Sequence, residues 1–269
     1  MSTSRKRGSG LNRTRRNFLG AAAAAGAKVA AIGVLASGIL PGSALAHRGR
    51  NGKPGWGPRC FLRGTAIATP KGEVLIENLR VGDRVTTVTG KSMPVRWIGR
   101  QTFKRTGAAW TRDVMPVRIA RGALADGVPT RDLYLSPYHH LHVDGVLMQA
   151  KDLANGRSIA PAMPKGQDTA DYFHILLDSH EVVLAEGAPV ETFRIEAANY
   201  EIFSNFAEVT RIMPDAATLT MASFAPVVHQ RGRDHLQALL RSVVMPFAKV
   251  DDPIGDAHER LAERARTLA

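Results

Sequence analysis

Short apolar stretches separated by glycine, proline and polar turns dominate the chain between residues 60 and 195. Many short strands at this spacing are typical of an all-β domain. The pattern predicts strands at 65–68, 83–88, 95–98, 114–119, 132–135, 146–148, 172–177, 182–184 and 191–195. It also predicts short helical turns at 76–79 and 150–153.

The spacing of apolar residues changes after about residue 199. Residues 234–247 place leucine and valine at helical intervals, and 256–268 is a charged segment with Leu261 on one side. Intervals of three and four residues indicate amphipathic helices. We therefore predict a mostly α-helical C-terminal extension over 199–269, which packs on the β domain or binds a partner.

The first 46 residues have the features of a targeting segment. Arg15 and Arg16 form a twin-arginine pattern, and an alanine-rich stretch interrupted by Lys28 follows them. The stretch is only mildly apolar and is broken by Pro41, which disfavours the alternative of an uncleaved membrane anchor. We predict a twin-arginine signal peptide over 1–46, use of the twin-arginine (Tat) export machinery, and a periplasmic or extracellular protein. No stable membrane span would remain after cleavage behind Ala46.

Removal of this segment changes the charge. The whole chain carries +12, and the segment holds seven of its basic residues and no acidic ones, which leaves +5 for the remainder. No basic stripe interleaved with aromatic residues is present, so the composition predicts no nucleic-acid partner. Residues 47–59 are rich in glycine, proline and arginine, and we predict a flexible leader there.

Cys60 is the only cysteine of the chain. A single cysteine in an exported protein is either spare, paired between molecules, or reactive, and an intermolecular disulfide through Cys60 is one alternative. His139, His140 and His142 follow about eighty residues later, and a thiol with a histidine suffices for nucleophilic attack on a carbonyl. In a strand, 140 and 142 would share one face and 139 the other. A zinc site from Cys60, His139 and a further histidine lacks paired-ligand spacing, so we expect no metal and no cofactor.

Several short motifs occur in a characteristic order. They are Cys60-Phe61-x-x-Gly64-Thr65-x-Ile67, Ile76-Glu77-x-Leu79-x-x-Gly82-Asp83-x-Val85, Pro94-Val95-Arg96-Trp97-Ile98-Gly99, Ser136-Pro137-Tyr138-His139 and Leu184-Ala185-Glu186-Gly187. Together they resemble the bacterial variety of the Hint domain, the module shared by Hedgehog autoprocessing domains and inteins. The resemblance implies a Hint-type, horseshoe-like all-β fold over 60–198, followed by the helical extension over 199–269.

The resemblance also implies a reaction. Cys60 would attack the carbonyl of Arg59 and shift the leader from nitrogen to sulfur, giving a thioester. Ser136 and His139 match the family's Thr-x-x-His motif, with serine in place of threonine, and would act on this peptide bond. His180 falls on the histidine of the penultimate intein block.

The end of the matching region departs from inteins. Glu191 and Thr192 stand where an intein would carry His-Asn, so the chain lacks the asparagine that cyclises during splicing. The predicted function is therefore single-turnover cleavage or acyl transfer of the leader, with the chain's own peptide bond as substrate and water or a small nucleophile as acceptor. The alternative is a processing-deficient Hint-fold module that binds a partner or serves a structural role outside the cytoplasm. Asp83, Thr65 and Trp97 are expected to be structural.

Overall fold

The computed structural model describes residues 57–228 and 253–268, with side chains of the last segment described from 255. The predicted signal peptide over 1–46, leader residues 47–56 and the predicted helix over 234–247 lie outside the described residues. Within the described ranges, none of the helices combines the length and the apolar character that crossing a membrane requires.

The domain is built from short strands. They are β1 Phe61–Leu62, β2 Ala66–Thr69, β3 Gly72–Leu75, β4 Arg84–Thr86, β5 Ser92–Pro94, β6 Trp97–Lys104, β7 Val117–Ile119, β8 Leu133–Leu135, β9 His140–Val143, β10 Val146–Gln149, β11 Ile159–Pro161, β12 Thr169–Leu176, β13 Val182–Ala185, β14 Ala188–Glu191 and β15 Val227–Val228. The predicted helical turns are 3₁₀ turns at Ile76–Asn78 and Ala150–Leu153.

The strands form two larger sheets and a hairpin. The first sheet has the order β11-β7-β8-β1-β12-β6, and the second has the order β15-β10-β9-β14-β13-β2-β3. Strands β4 and β5 form the separate hairpin. The pairings are antiparallel except for β10 with β15. Neither sheet closes into a barrel, and the fold is of the predicted all-β class.

Two of the predicted strands need correction. Residues 191–195 were expected to form one strand, but β14 ends at Glu191 because its hairpin begins earlier. Glu186 and Gly187 both have positive φ angles, of 51° and 76°, so the chain reverses there and β14 starts at Ala188. Of the predicted strand over 95–98 only Trp97 and Ile98 are in a strand, because residues 95–96 connect β5, which ends at Pro94, to β6.

The apolar residues form two clusters that border the first sheet. The larger cluster includes Phe61 and Leu141, and the smaller includes Cys60 and Trp97. Trp97 is 1% exposed, which confirms its predicted place in the core. Thr65 donates to the carbonyl of Leu62 at 2.7 Å.

Asp83 is also structural, as predicted. Its Oδ2 accepts the N–H of Arg80 at 2.8 Å, and the Arg80 carbonyl accepts the N–H of Asp83 at 3.1 Å. These two bonds close the turn that precedes β4, so the carboxylate serves local backbone structure.

The described part of the extension, residues 199–228 and 253–268, contains helices and one unpredicted strand. Its helical segments are Asn199–Ile202, Ala207–Ile212 (α1), Pro214–Ala217 and Pro253–Thr267 (α2). The ring of Phe203 packs edge-on against Trp97 at 5.1 Å, so the extension covers the smaller cluster. Leu261 of α2 is buried in the larger cluster, and Arg264 hydrogen-bonds the carbonyl of Gly122. The extension therefore packs on the β domain, one of the two roles expected for it.

Candidate functional site

Cys60 and Ser136 lie next to each other at the ends of two neighbouring strands of the first sheet. Cys60 precedes β1 and Ser136 follows β8, and these strands pair at Phe61 and Leu135. The N–H of Cys60 donates to Ser136 Oγ at 2.7 Å, and the N–H of Ser136 donates to the Cys60 carbonyl at 2.9 Å. Ser136 Oγ also donates to the carbonyl of Pro58 at 2.6 Å. One hydroxyl therefore holds the backbone on both sides of Arg59.

The residues before Cys60 follow a closely fitted path. A Cβ atom on Gly57 would lie 2.2 Å from the ring of Tyr138, so only glycine fits there without movement. The Tyr138 hydroxyl donates to Asp113 Oδ1 at 2.5 Å, which fixes this ring. Further along, Arg59 Nη1 lies 3.6 Å from Glu196 Oε2. The described end of the leader is thus positioned by three separate contacts.

The thiol of Cys60 is fully buried. Burial raises its pKa well above the ordinary value. Tyr172 lies near the thiol, and the pKa of Tyr172 is raised by burial and by the charge that Cys60 would carry as a thiolate. The Tyr172 hydroxyl donates to the carbonyl of Val114 at 2.6 Å. The thiol is therefore neutral at neutral pH, and its reaction requires a base.

His139 lies in the turn that begins at Ser136, and its N–H donates to the Ser136 carbonyl at 3.1 Å. Its ring packs edge-on against Phe61 with centroids 4.6 Å apart. Its Nε2 lies 3.1 Å from the carbonyl oxygen of Glu191, which can only accept a hydrogen bond, so Nε2 carries the proton. Burial lowers the pKa of His139 to about 4, and at neutral pH its Nδ1 therefore has a free lone pair. Within the described residues this Nδ1 makes no hydrogen bond of normal geometry, although the backbone of Cys60 lies close enough to the ring to raise the pKa of His139 slightly against the effect of burial.

His180 occupies the loop between β12 and β13, and its side chain is fully buried. Its Nδ1 accepts the N–H of Phe224 at 3.1 Å, and its Nε2 lies 3.3 Å from Glu191 Oε2. His180 is thus joined to His139 through Glu191, while no direct contact between His180 and Cys60 is recorded among the described residues. The four predicted site residues lie in one connected cluster, with Cys60, Ser136 and His139 closest together.

Glu191 is the residue that sequence reasoning did not assign to the site. It is 2% exposed, and its Oε1 lies 2.5 Å from His140 Nδ1 and 3.1 Å from the His140 backbone nitrogen. Burial alone would raise the pKa of Glu191, but the hydrogen bond from His140, and the positive charge that His140 has whenever it is doubly protonated, outweigh burial and hold this pKa well below its usual range. The sequence signal for Glu191 was its position, since it stands where the intein pattern carries the histidine of the His-Asn pair.

The adjacent histidines separate as alternation along a strand suggests. His139, just before β9, packs against Phe61 and His174, whereas His140, the first residue of β9, contacts the Glu191 carboxylate. His142 lies further along β9 and packs against Phe224 at 5.5 Å.

His174 is a second buried histidine that the sequence reasoning left unassigned. It lies in β12, and its ring centroid is 4.6 Å from that of His139. Neither ring nitrogen has a partner among the described residues. Burial and the nearby His139 lower the pKa of His174 well below its ordinary value, so both rings are uncharged at neutral pH. Its position inside an apolar strand made it resemble a core residue.

Taken together, these residues offer a buried thiol, a hydroxyl bound to the adjacent peptide N–H and a histidine with a free lone pair. Such a set is suited to acyl transfer from the peptide bond before Cys60. Across residues 57–228 and 255–268, no group of three or more histidine, cysteine or carboxylate side chains is placed to hold a metal ion.

Comparison with solved structures gives matches to inteins and an intein-like domain. The chain is 18% identical to the gp41-1 intein, with 49% of this chain and 98% of that chain covered and a TM-score of 0.36. It is 17% identical to a bacterial intein-like domain from Clostridium thermocellum, with 51% and 99% covered and a TM-score of 0.36. For a DnaB intein from Synechocystis sp. PCC 6803 the identity is 12%, the coverage 51% and 99%, and the TM-score 0.34.

A search of curated proteins gave no match. The Hint domain model, in contrast, matches residues 59–197, which is more than half of the 269 residues. The chain therefore belongs to the Hint domain family.

Proposed function

We propose that this protein cleaves or transfers its own leader through a thioester formed at Cys60, without splicing. The observation that carries the proposal is the position of Ser136 Oγ, which accepts the N–H of Cys60 and donates to the carbonyl of Pro58. The backbone on both sides of Arg59 is thereby held by one hydroxyl, next to the peptide bond that the Cys60 thiol would attack. Holding reactants in attack geometry can offset about 7–11 kcal/mol of a barrier.

In the proposed step, His139 Nδ1 removes the proton of the Cys60 thiol. The sulfur attacks the carbonyl carbon of Arg59, and the tetrahedral intermediate collapses as the C–N bond breaks. The departing nitrogen takes the proton from His139, which leaves a thioester at Arg59 and a free amine on Cys60. Because the pKa of His139 is about 4, its protonated form is a strong enough acid to deliver this proton readily. The same low pKa makes neutral His139 a weak base, so the thiol proton leaves as the sulfur attacks and not before.

The proposed second step is attack on the thioester by water or a small nucleophile. Thr192 occupies the position of the asparagine that would cyclise, and its Oγ1 is engaged with the N–H and carbonyl of Glu181 at 2.9 and 3.1 Å. Release of the leader on the N-terminal side is thus the outcome that the residues favour. We further propose that the twin-arginine signal exports the chain, which places the protein in the periplasm or outside the cell.

A second candidate is a processing-deficient Hint module with a binding or structural role. The complete burial of Cys60 favours it, because burial raises the pKa of the thiol and limits access for an acceptor. The missing His-Asn pair points the same way. This candidate and the first differ in one measurable property, which is whether the bond before Cys60 breaks.

Intact-mass spectrometry of the full-length chain tests the proposal. The purified protein is incubated with and without dithiothreitol, beside Cys60→Ala and Cys60→Ser. Thiol-accelerated release of a fragment that ends at Arg59 is expected from the natural chain and not from Cys60→Ala. Cys60→Ser is expected to cleave more slowly, since it can form an ester that hydroxylamine opens.

An unchanged mass of the natural chain after prolonged incubation with dithiothreitol would reject self-processing and support the second candidate. A band of twice the mass on non-reducing gels, absent in Cys60→Ala, would instead assign the thiol to an intermolecular disulfide.

A further inference from the structure

We propose that Glu191 is a positioning residue whose carboxylate sets the tautomers of His140 and His180, and whose main-chain carbonyl sets the tautomer of His139. The inference deepens the proposed function, because it states how the proton-transferring histidine is prepared. It assigns a role to the residue that stands where an intein would carry histidine.

The first argument is burial. A carboxylate that is 2% exposed must be paired or protonated, since an isolated buried charge is costly. Both oxygens of Glu191 face imidazole nitrogens, with Oε1 2.5 Å from His140 Nδ1 and Oε2 3.3 Å from His180 Nε2. His140 Nδ1 satisfies this requirement with a hydrogen bond, and His180 Nε2 adds an ion-pair distance without the geometry of a hydrogen bond.

The second argument comes from the far side of His180. Its Nδ1 lies 3.1 Å from the N–H of Phe224, a backbone group that can only donate. Nδ1 therefore has no proton, and the ring proton is on Nε2, where it faces Glu191. The extension that carries Phe224 and the carboxylate together leave one neutral tautomer for His180.

The third argument connects the carboxylate to His139. Glu191 is the last residue of β14 and pairs with Val182, and the next residue, Thr192, donates its N–H to the carbonyl of Glu181 at 2.8 Å. The backbone of Glu191 is thus fixed from its strand, and its side chain is fixed by two histidines. This arrangement directs its carbonyl at His139 Nε2 and leaves Nδ1 of that ring free for the thiol proton.

Glu191→Gln is the variant that separates charge from shape, because glutamine has the same size and no charge. Glu181→Gln is its matched control: it lies on the same hairpin, but its carboxylate accepts from Ser179 at 2.7 Å and is not recorded against any histidine. Release of the fragment ending at Arg59 is measured by intact mass in the full chain. Glu191→Gln is expected to slow this release about tenfold or more, and Glu181→Gln to leave it unchanged.

A spectroscopic measurement keeps the inference independent of cleavage. ¹⁵N-histidine NMR is recorded on the full chain with Cys60→Ala, which cannot react. His140 is expected to carry its proton on Nδ1, and His139 and His180 on Nε2. Adding Glu191→Gln is expected to change the signals of all three histidines, whereas adding Glu181→Gln should change none.

The outcomes are distinguishable. Cleavage of Glu191→Gln at the natural rate, or the opposite tautomers in the Cys60→Ala protein, would overturn the role of Glu191. If the natural chain does not cleave, the proposed function fails, and the tautomers then decide the inference alone. The Cys60→Ala measurement needs no change at Glu191, so it applies even where Glu191→Gln does not fold.

Discussion

Cys60 and Ser136 exchange two hydrogen bonds. The N–H of Cys60 donates to Ser136 Oγ at 2.7 Å, and the N–H of Ser136 donates to the carbonyl of Cys60 at 2.9 Å. The second bond is between backbone groups and resembles sheet pairing, while the first replaces a backbone acceptor by a hydroxyl. A side chain therefore holds the amide nitrogen that would leave in the proposed reaction.

Replacing this hydroxyl tests its contribution. Ser136→Ala is expected to slow release of the leader about 100-fold, because the amide nitrogen and the Pro58 carbonyl lose their shared partner. Ser136→Thr keeps the hydroxyl and restricts its rotamer, so we expect a rate near that of the natural chain. Intact-mass time courses measure both.

Ser158→Ala is the control for this pair of variants. Ser158 is also buried, and its hydroxyl accepts from the Asn155 side chain at 3.1 Å, with no recorded contact to the leader. An equal loss of rate in Ser158→Ala and Ser136→Ala would mean that the effect is general destabilisation.

The sequence pattern predicted the class of fold because apolar runs and turn residues are local signals. The 3₁₀ turns at Ile76–Asn78 and Ala150–Leu153 occur where the pattern placed them. Strand β9 was not predicted, since it has four residues and only Leu141 and Val143 of them are apolar, which is too short a run to stand out. The two-residue β15 contains too few residues to give a periodic signal.

The site was predicted in part for a similar reason. Cys60, Ser136 and His139 belong to motifs that can be read along the chain, whereas Glu191 enters the site through pairing. β14 lies beside β9 with Val190 opposite Leu141, and this register brings the Glu191 carboxylate to His140. Long-range register of this kind is not encoded in any one segment, so a carboxylate that replaced the expected histidine gave no local sign of its partners.

The buried histidines predict a loss of stability in acid. The native pKa of His139 is about 4, below its ordinary 6.5, so the unfolded chain takes up this proton first as the pH falls. The stability from this residue is complete above about pH 6.5 and is lost towards pH 4, by about 3 kcal/mol. His174 acts in the same direction, because its pKa is also lowered.

Urea unfolding of the full chain with Cys60→Ala at pH 7.5, 6.0 and 5.0 measures this dependence. The free energy of unfolding should fall at each step. Adding His139→Gln should make this pH dependence less steep, because it removes one of the titrating groups. A free energy that is constant or rises towards pH 5 would contradict the assignment of His139 and His174 as neutral buried rings.

Gly99 provides a test of how the extension packs on the sheet. A Cβ atom at this position would lie 2.5 Å from Trp97 and 2.7 Å from Phe203, both of them fully buried rings. Gly99→Ala is therefore expected to lower the free energy of unfolding by about 1–3 kcal/mol through overpacking. Gly107→Ala is the control, since a Cβ there meets nothing within 4 Å. Urea midpoints that are equal for the two variants would contradict the close approach of Phe203 to β6.

The last prediction concerns α2 and the turn that supports His139. The 3₁₀ turn Ala150–Leu153 donates the N–H of Ala150 to the His139 carbonyl at 2.8 Å, and His258 of α2 hydrogen-bonds the Asp152 carbonyl in the same turn. Leu261 is 3% exposed within the larger apolar cluster, so Leu261→Ala is expected to cost about 2–5 kcal/mol of stability.

Leu261→Ala leaves a cavity beside the 3₁₀ turn Ala150–Leu153, which supports His139. Release of the leader should therefore slow as well. Leu268→Ala removes a residue that is 47% exposed and should change neither quantity. Thermal unfolding and intact-mass time courses on the full chain measure the two effects together. A Leu261→Ala protein with the stability of the natural chain would contradict the packing of α2 on the domain. A destabilised protein that still releases its leader at the natural rate would show that the packing of α2 does not help to position His139.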